Sequence, residues 1–169
     1  MYLLHPAIRL AINSMARPFT LQHGVSHAIE PSVGEYGTIQ ILSTCPPLDD
    51  GRDYTRIELK DDKKNTLLHM SFRPHQGFIA VNQKLNGKDW DYSKEVRVPF
   101  EENLPSRKLA KITISDRGDS YFIVFTDGPG LKYPKIPALV NKGASSIDYH
   151  IQDECPIFSE LLSVRANVI

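Results

Sequence analysis

Alternation with period two dominates the chain. Residues 65–73 read N-T-L-L-H-M-S-F-R, so a strand places Leu67, His69, Ser71 and Arg73 on one face and Thr66, Leu68, Met70 and Phe72 on the other. Residues 78–82 follow across Pro74-His75-Gln76-Gly77, a connection short enough for an antiparallel hairpin. Residues 95–100 alternate again, with Val96, Val98 and Phe100 opposite Glu95 and Arg97. The same reading predicts strands over 38–43, 55–60, 111–115, 121–126, 146–150 and 161–166. Between them lie turn signals at 46–51 (PPLDDG), 61–64 (DDKK), 86–87 (NG), 116–119 (DRGD) and 127–130 (DGPG). Gly and Asn there supply positive φ, while Asp and Pro fix the adjoining geometry. Many short strands at near-regular spacing predict an all-β sandwich or barrel, mostly antiparallel. The whole chain, 1–169, reads as one domain, its first ~20 residues a capping strand or a loose arm.

Composition narrows the function. With 169 residues, 41% of them hydrophobic, there is material for one sizeable core. Twenty Lys+Arg balance twenty Asp+Glu, so the excess of cations that a nucleic-acid surface needs is missing. No apolar run approaches the roughly 20 residues of a membrane helix, which excludes membrane insertion of that kind. Met1–Leu4 is interrupted by His5, Pro6 and Arg9 and has no leader pattern, which fits cytoplasmic synthesis. Cys45 and Cys155 lie far apart, each before a proline, and suit free thiols better than a disulfide or a zinc site. His23 and His27 are four apart, but a helix is needed to bring such a pair onto one metal, and Gly24 and Val25 break helical patterning. Asp49-Asp50-Gly51-Arg52-Asp53 lacks the spacing and closing Glu of a calcium loop. Arg117-Gly118-Asp119 matches a short adhesion tripeptide, but it sits where a hairpin turn wants Gly and Asp.

Residues 68–100 carry the pointed chemistry. His69, Ser71 and Arg73 share a strand face, Asn82 ends the next strand, the single Trp90 lies in a loop, and Glu95 and Arg97 face outward on the third strand. If these strands form a meander, the polar groups converge beside a flat ring. A pyranose needs that set. Its hydroxyls require fixed donors and acceptors, and its C–H face is removed from water by an aromatic platform.

The pattern His69-Met70-Ser71-Phe72-Arg73, Val81-Asn82, then Trp90 and Glu95-Val96-Arg97 resembles the carbohydrate-recognition signature of galectins, the β-galactoside-binding lectins. The likeness is greatest to mushroom galectins, and "LLHMSFRP", the eight-residue step from Asn82 to Trp90, "RVPF", "ITISDRGDSYFIVF" and "IFSELLSV" all contribute to it. It extends over about Tyr36–Val164. The resemblance implies a jelly-roll sandwich of two antiparallel sheets with the sugar on the concave one. It further implies His69 and Arg73 at the axial 4-hydroxyl, Asn82 and Glu95 at the 6-hydroxyl, and Trp90 stacked on the sugar. Arg97 with Glu95 would reach a second ring. It implies no metal, no cofactor, glycan partners, leaderless export and a homo-oligomer, dimer or tetramer. Two features depart from the family pattern. Ser71 stands where many animal galectins have Asn, and the Trp90–Glu95 spacing is longer than usual, which bears on glycan preference.

Four other readings compete. A galectin-fold lectin with shifted specificity would take chitooligosaccharides instead. A protein–protein module would keep the fold with a degenerate site, against the kept His, Arg, Asn, Trp and Glu. A glycosidase needs two carboxylates about 5–10 Å apart. Only Glu95 is evident on this face from the sequence, and Arg73 and Arg97 would keep it ionised. A serine hydrolase lacks both a GxSxG elbow and an acid to orient His69 beside Ser71.

Overall fold

A computed structural model describes residues 14–15, 17–45, 54–105, 108–126, 128–152, 157–158 and 161–168. Among the described residues thirteen strands run in chain order: β1 (Ser14–Met15), β2 (Phe19–Leu21), β3 (Ser26–Val33), β4 (Thr38–Thr44), β5 (Thr55–Lys60), β6 (Thr66–Arg73), β7 (Phe78–Lys84), β8 (Val96–Pro99), β9 (Leu109–Asp116), β10 (Ser120–Phe125), β11 (Leu131–Pro134), β12 (Ala144–His150) and β13 (Leu162–Val168). Tyr92–Lys94 and Pro137–Leu139 form single 3-10 turns, and Phe100–Asn103 one turn of α-helix. The strands make two antiparallel sheets. One has the order β1-β13-β4-β9-β10-β11 with β2 also on β13, and the other β3-β12-β5-β6-β7-β8.

Alternation decides which side chains enter the core. Ile39 and Ile41, then Ala110, Ile112 and Ile114, Tyr121, Ile123 and Phe125, and Leu162, Val164 and Ala166 come from the first sheet. They meet Ile57 and Leu59, Leu68, Met70 and Phe72, Ile79 and Val81, and Ile147 and Tyr149 from the second. The outer face of the second sheet is left mostly to polar residues.

One strand departs from simple alternation. The β5–β6 and β6–β7 registers both shift between Thr66 and His69, a bulge of one residue in β6. Both Leu67 and Leu68 are therefore fully buried, and Thr66 joins the His69 side. The expected faces were the reverse for Leu67 and Thr66. The bulge lets two consecutive leucines enter the core and then restores the phase, so His69, Ser71 and Arg73 face out as expected.

Two edge strands were not expected, β3 and β11, while the short β1 and β2 pair with β13 at that sheet's end. β7 continues past Asn82 to Lys84. The 46–51 turn and Cys155 lie outside the described residues. Cys45 is a buried free thiol, pushed up to about 11 chiefly by burial. The 116–119 segment is indeed a tight turn between β9 and β10. Gly118 has φ +79°, and a Cβ there would meet Asn141 and Glu35 at 3.0–3.1 Å. Backbone geometry alone thus demands the glycine, and Asp119→Ala is expected to leave cell attachment to the immobilised protein unchanged.

Candidate functional site

Cross-strand register arranges the second sheet's outer face in rows. Asp148 faces Glu58, Glu58 faces His69, and His69 faces Asn82. Toward one end the next row is His150, Arg56, Ser71, Ala80 and Arg97, and beyond it come Arg73, Phe78 and Pro99. Toward the other end lie Ser146, Lys60, Thr66 and Lys84. Residues distant in sequence are thereby brought side by side.

The Trp90 loop is fastened from three sides. Asn86 donates its backbone N–H to Asn65 Oδ1 at 2.9 Å and its amide to the Lys63 carbonyl at 3.2 Å. Asn82 donates its amide to the Asp91 carbonyl at 3.3 Å, while its own oxygen accepts the Gln83 N–H at 2.8 Å. The long Trp90–Glu95 connection is taken up by winding. Asp91 Oδ1 accepts the Ser93 N–H at 3.0 Å and caps the 3-10 turn of Tyr92–Lys94, and Tyr133 donates its hydroxyl to the Lys94 carbonyl at 3.3 Å. Glu95 emerges from this turn beside Arg97, whose Nε donates to Glu95 Oε1 at 2.7 Å.

Trp90 is half-buried. Its ring centroid lies 4.6 Å from that of His69 at 50°, and the Lys84 ammonium rests 4.7 Å above the indole. Arg73 is held by an Nε bond to Ser71 Oγ at 3.1 Å, with Tyr54 and Phe78 rings 5.1 and 5.4 Å away. Ser71 therefore orients the guanidinium instead of presenting an amide.

His69, Ser71, Arg73, Asn82, Trp90 and Glu95 all line one open cavity of 160 Å³, together with Tyr54, Arg56, Tyr92 and Gln152. Six of the seven residues singled out in the sequence are thus brought together. The seventh, Arg97, is exposed at the rim, paired with Glu95 and packed 4.4 Å over Phe78. Asn82 is nearly fully buried with both amide atoms engaged, so its part in the cavity is chiefly to hold the Trp90 loop.

The largest group absent from the sequence reading is ionic. His69 Nδ1 sits 2.8 Å from Glu58 Oε1, and Lys60 Nζ bridges Glu58 Oε2 at 3.1 Å and Asp148 Oδ2 at 2.5 Å. Two carboxylates directly opposite on neighbouring strands would repel, and the shared ammonium offsets this. Burial by itself would raise the Glu58 carboxyl, but His69 and Lys60 outweigh it and hold it down at about 2. Burial opposes the Lys60 charge too, and Asp148 and Glu58 overcome it to raise the ammonium. With the carboxylate fixed, Glu58 orients the His69 ring, and that is the role a positioned acceptor plays for imidazole. The expectations that no other carboxylate shares the face with Glu95 and that no acid orients His69 are thus both corrected. Glu58 and Asp148 are both there, but Glu58 is driven away from the protonated form that a general acid needs. The clue was available: in T-R-I-E-L-K, period two puts Arg56, Glu58 and Lys60 on a single face.

A pH consequence follows. The carboxyl is depressed from 4.5 to about 2, so its stabilisation is complete above about pH 4.5 and lost as pH falls toward 2. Glu58→Gln is expected to flatten the acid limb of the stability curve between those values, read as urea midpoints at successive pH; an unchanged limb would remove Glu58 from that role.

His23 and His27 are each engaged by a backbone donor. His23 Nδ1 accepts the Ile151 N–H at 2.9 Å and His27 Nε2 accepts the Gln22 N–H at 3.1 Å, so each ring secures the β2–β3 turn. Among the described residues no group of three His, Cys, Asp or Glu could hold a metal ion.

No family model matches the chain. Galectin-2 of Coprinopsis cinerea is 31% identical over 101 residues, 60% of this chain and 62% of the relative. Galectin-1 of the same fungus is 30% identical over the same shares. The matched stretch thus spans somewhat under two thirds of these relatives' length. Among solved structures, the Caenorhabditis elegans galectin LEC-6 superposes with a TM-score of 0.63 at 14% identity, covering 90% of this chain and 95% of its own. Toad ovary galectin, solved as a complex with N-acetylgalactose, superposes with a TM-score of 0.59 at 19% identity over 83% and 97%. The fold is the galectin fold. The sequence likeness to fungal galectins extends across 60% of the chain. The expected galectin jelly roll is therefore the observed architecture, with the clustered residues on the outer face of its six-stranded sheet.

Proposed function

We propose that the chain is a lectin that binds β-galactosides of the lactose and N-acetyllactosamine kind in the 160 Å³ cavity, without metal and without turnover. The observation that carries this reading is the convergence of His69, Arg73, Trp90 and Glu95 on one open cavity. The cavity offers a cationic donor, an ionisable acceptor and an aromatic face at once. Arg73 and His69 serve the axial hydroxyl, Trp90 the apolar sugar face, and Glu95 with Arg97 the neighbouring ring. A buried polar set aimed at an axial hydroxyl is left unpaired by glucose, and this discriminates between the epimers by a few kcal/mol.

Open, wet sites give modest affinity, on the order of 10 μM to 1 mM for a disaccharide. Biological avidity then comes from several copies acting together, as a dimer or tetramer. Lactose in EDTA-containing buffer, measured by calorimetry beside chitotriose and cellobiose, tests the reading. Lactose binding that survives EDTA, with cellobiose inert, is the expected result. Preference for chitotriose would shift the specificity, and release of reducing sugar at high protein concentration would replace lectin by enzyme.

A further inference from the structure

The connection between β7 and Trp90 holds a reactive pair of residues that the sugar cavity does not use. Asn86 is the only asparagine in the chain that precedes a glycine. Both residues are exposed, in a turn that Lys88 closes by donating its N–H to the Leu85 carbonyl at 3.1 Å. The Gly87 N–H donates to no acceptor among the described residues. A Cβ placed at Gly87 would meet no atom within 4 Å, so the approach to this nitrogen is open.

These are the conditions under which an asparagine side chain cyclises onto the next residue. Glycine has no Cβ to block the amide folding onto its nitrogen, and its backbone adapts to the ring that forms. The opposing factor is the hold on Asn86. Its N–H is bonded to Asn65 Oδ1 at 2.9 Å and its amide to the Lys63 carbonyl at 3.2 Å. Both bonds lie at exposed positions, where local opening needs no disruption of the sheets.

We propose that Asn86 is a site of spontaneous deamidation, and that the change unfastens the Trp90 loop from the turn before β6. The Gly87 nitrogen bonds to Asn86 Cγ, and the Cγ–Nδ2 bond breaks. Water relays the Gly87 N–H proton to the departing Nδ2, which leaves as ammonia, and a five-membered succinimide remains. Water then adds to either imide carbonyl. Opening at Cγ gives aspartate, and opening at the backbone carbonyl gives isoaspartate. Either product lacks the amide donor to the Lys63 carbonyl. Isoaspartate also lengthens the main chain between Leu85 and Lys88 and disrupts the bond that closes their turn.

The test holds the protein in warm, mildly alkaline buffer beside a capped peptide of residues 85–88, with peptide maps followed by mass spectrometry. A mass gain equal to exchanging one NH for one O is expected at Asn86 ahead of every other asparagine. Isoaspartate should be present in the product, and ammonia released in equal amount. The two bonds that hold Asn86 are expected to slow the protein about tenfold against the peptide. Asn65→Ala removes one of them and should quicken the reaction severalfold. Trp90 emission is expected to shift as the reaction proceeds, and Asn86→Asp should shift it in the same direction. An Asn86 that stays intact while the peptide is consumed overturns the inference, as does earlier reaction at another asparagine. Deamidation at Asn86 with emission unchanged, in aged protein and in Asn86→Asp alike, overturns the link to the Trp90 loop.

Discussion

Trp90→Ala is expected to leave the fold unchanged and to abolish retention on a lactose resin. The indole is half-buried and is not part of the hydrophobic core, so its removal opens no cavity between the sheets. In the cavity it is the largest aromatic face, and its ring lies beside His69. Truncating a stacked anchor of this kind costs about 2 kcal/mol or more, at least thirtyfold in affinity. From a starting Kd on the order of 0.1 mM, such a loss removes retention altogether. Trp90→Phe keeps a smaller platform and should be retarded without being held. Circular dichroism and the urea midpoint should match the parent for both. Full retention of the alanine variant would mean that the sugar does not rest on this ring.

The largest stability effect is expected at the opposite sheet. Lys135 Nζ lies 2.8 Å from both oxygens of Asp116, with side-chain exposures of 0% and 2%. The same ammonium donates to the Lys142 carbonyl at 3.3 Å and lies 4.5 Å over Tyr121, and Asp116 Oδ1 also accepts the Gly118 N–H at 2.8 Å. One ion pair therefore ties the β9–β10 turn to the segment after β11. Asp116→Ala strands a buried ammonium and frees the turn, at a cost of about 3–5 kcal/mol. For a chain of this length that lowers Tm by about 10 °C. The double change Asp116→Leu with Lys135→Met removes both charges and should recover much of the loss. Thermal scans of the three proteins distinguish these outcomes, and an Asp116→Ala variant as stable as the parent would show the pair to be dispensable.

The parts of the fold legible in the sequence were those with local signals. Alternation marked β5, β8, β9 and most of β6, and Gly77 and Gly118 marked turns that need positive φ. β3 escaped because its exposed residues outnumber its buried ones and Pro31 interrupts it, and β11 because it is only four residues long. The bulge that admits both Leu67 and Leu68 is set by the partners on β5 and β7, and no periodicity within β6 contains it.

The site divides in the same way. His69, Arg73, Asn82 and Glu95 could be placed together because they belong to one meander of adjacent strands. The Glu58–Lys60–Asp148 network could not, since Asp148 is 88 residues from Lys60 and only the β5–β12 pairing makes them neighbours. Asn86 reads as an ordinary turn residue, and it is the packing of the Trp90 loop against the turn before β6 that gives it Asn65 and Lys63 as partners.

Trp90 is the only tryptophan in the chain, so its emission reports on this loop and nothing else. A fluorescence titration with lactose, run beside cellobiose, is the most direct measurement. A saturable change in intensity and wavelength, with a midpoint between about 10 μM and 1 mM and no response to cellobiose, is the expected result. Emission that stays constant at lactose concentrations far above that range would contradict a galactoside seated against this indole.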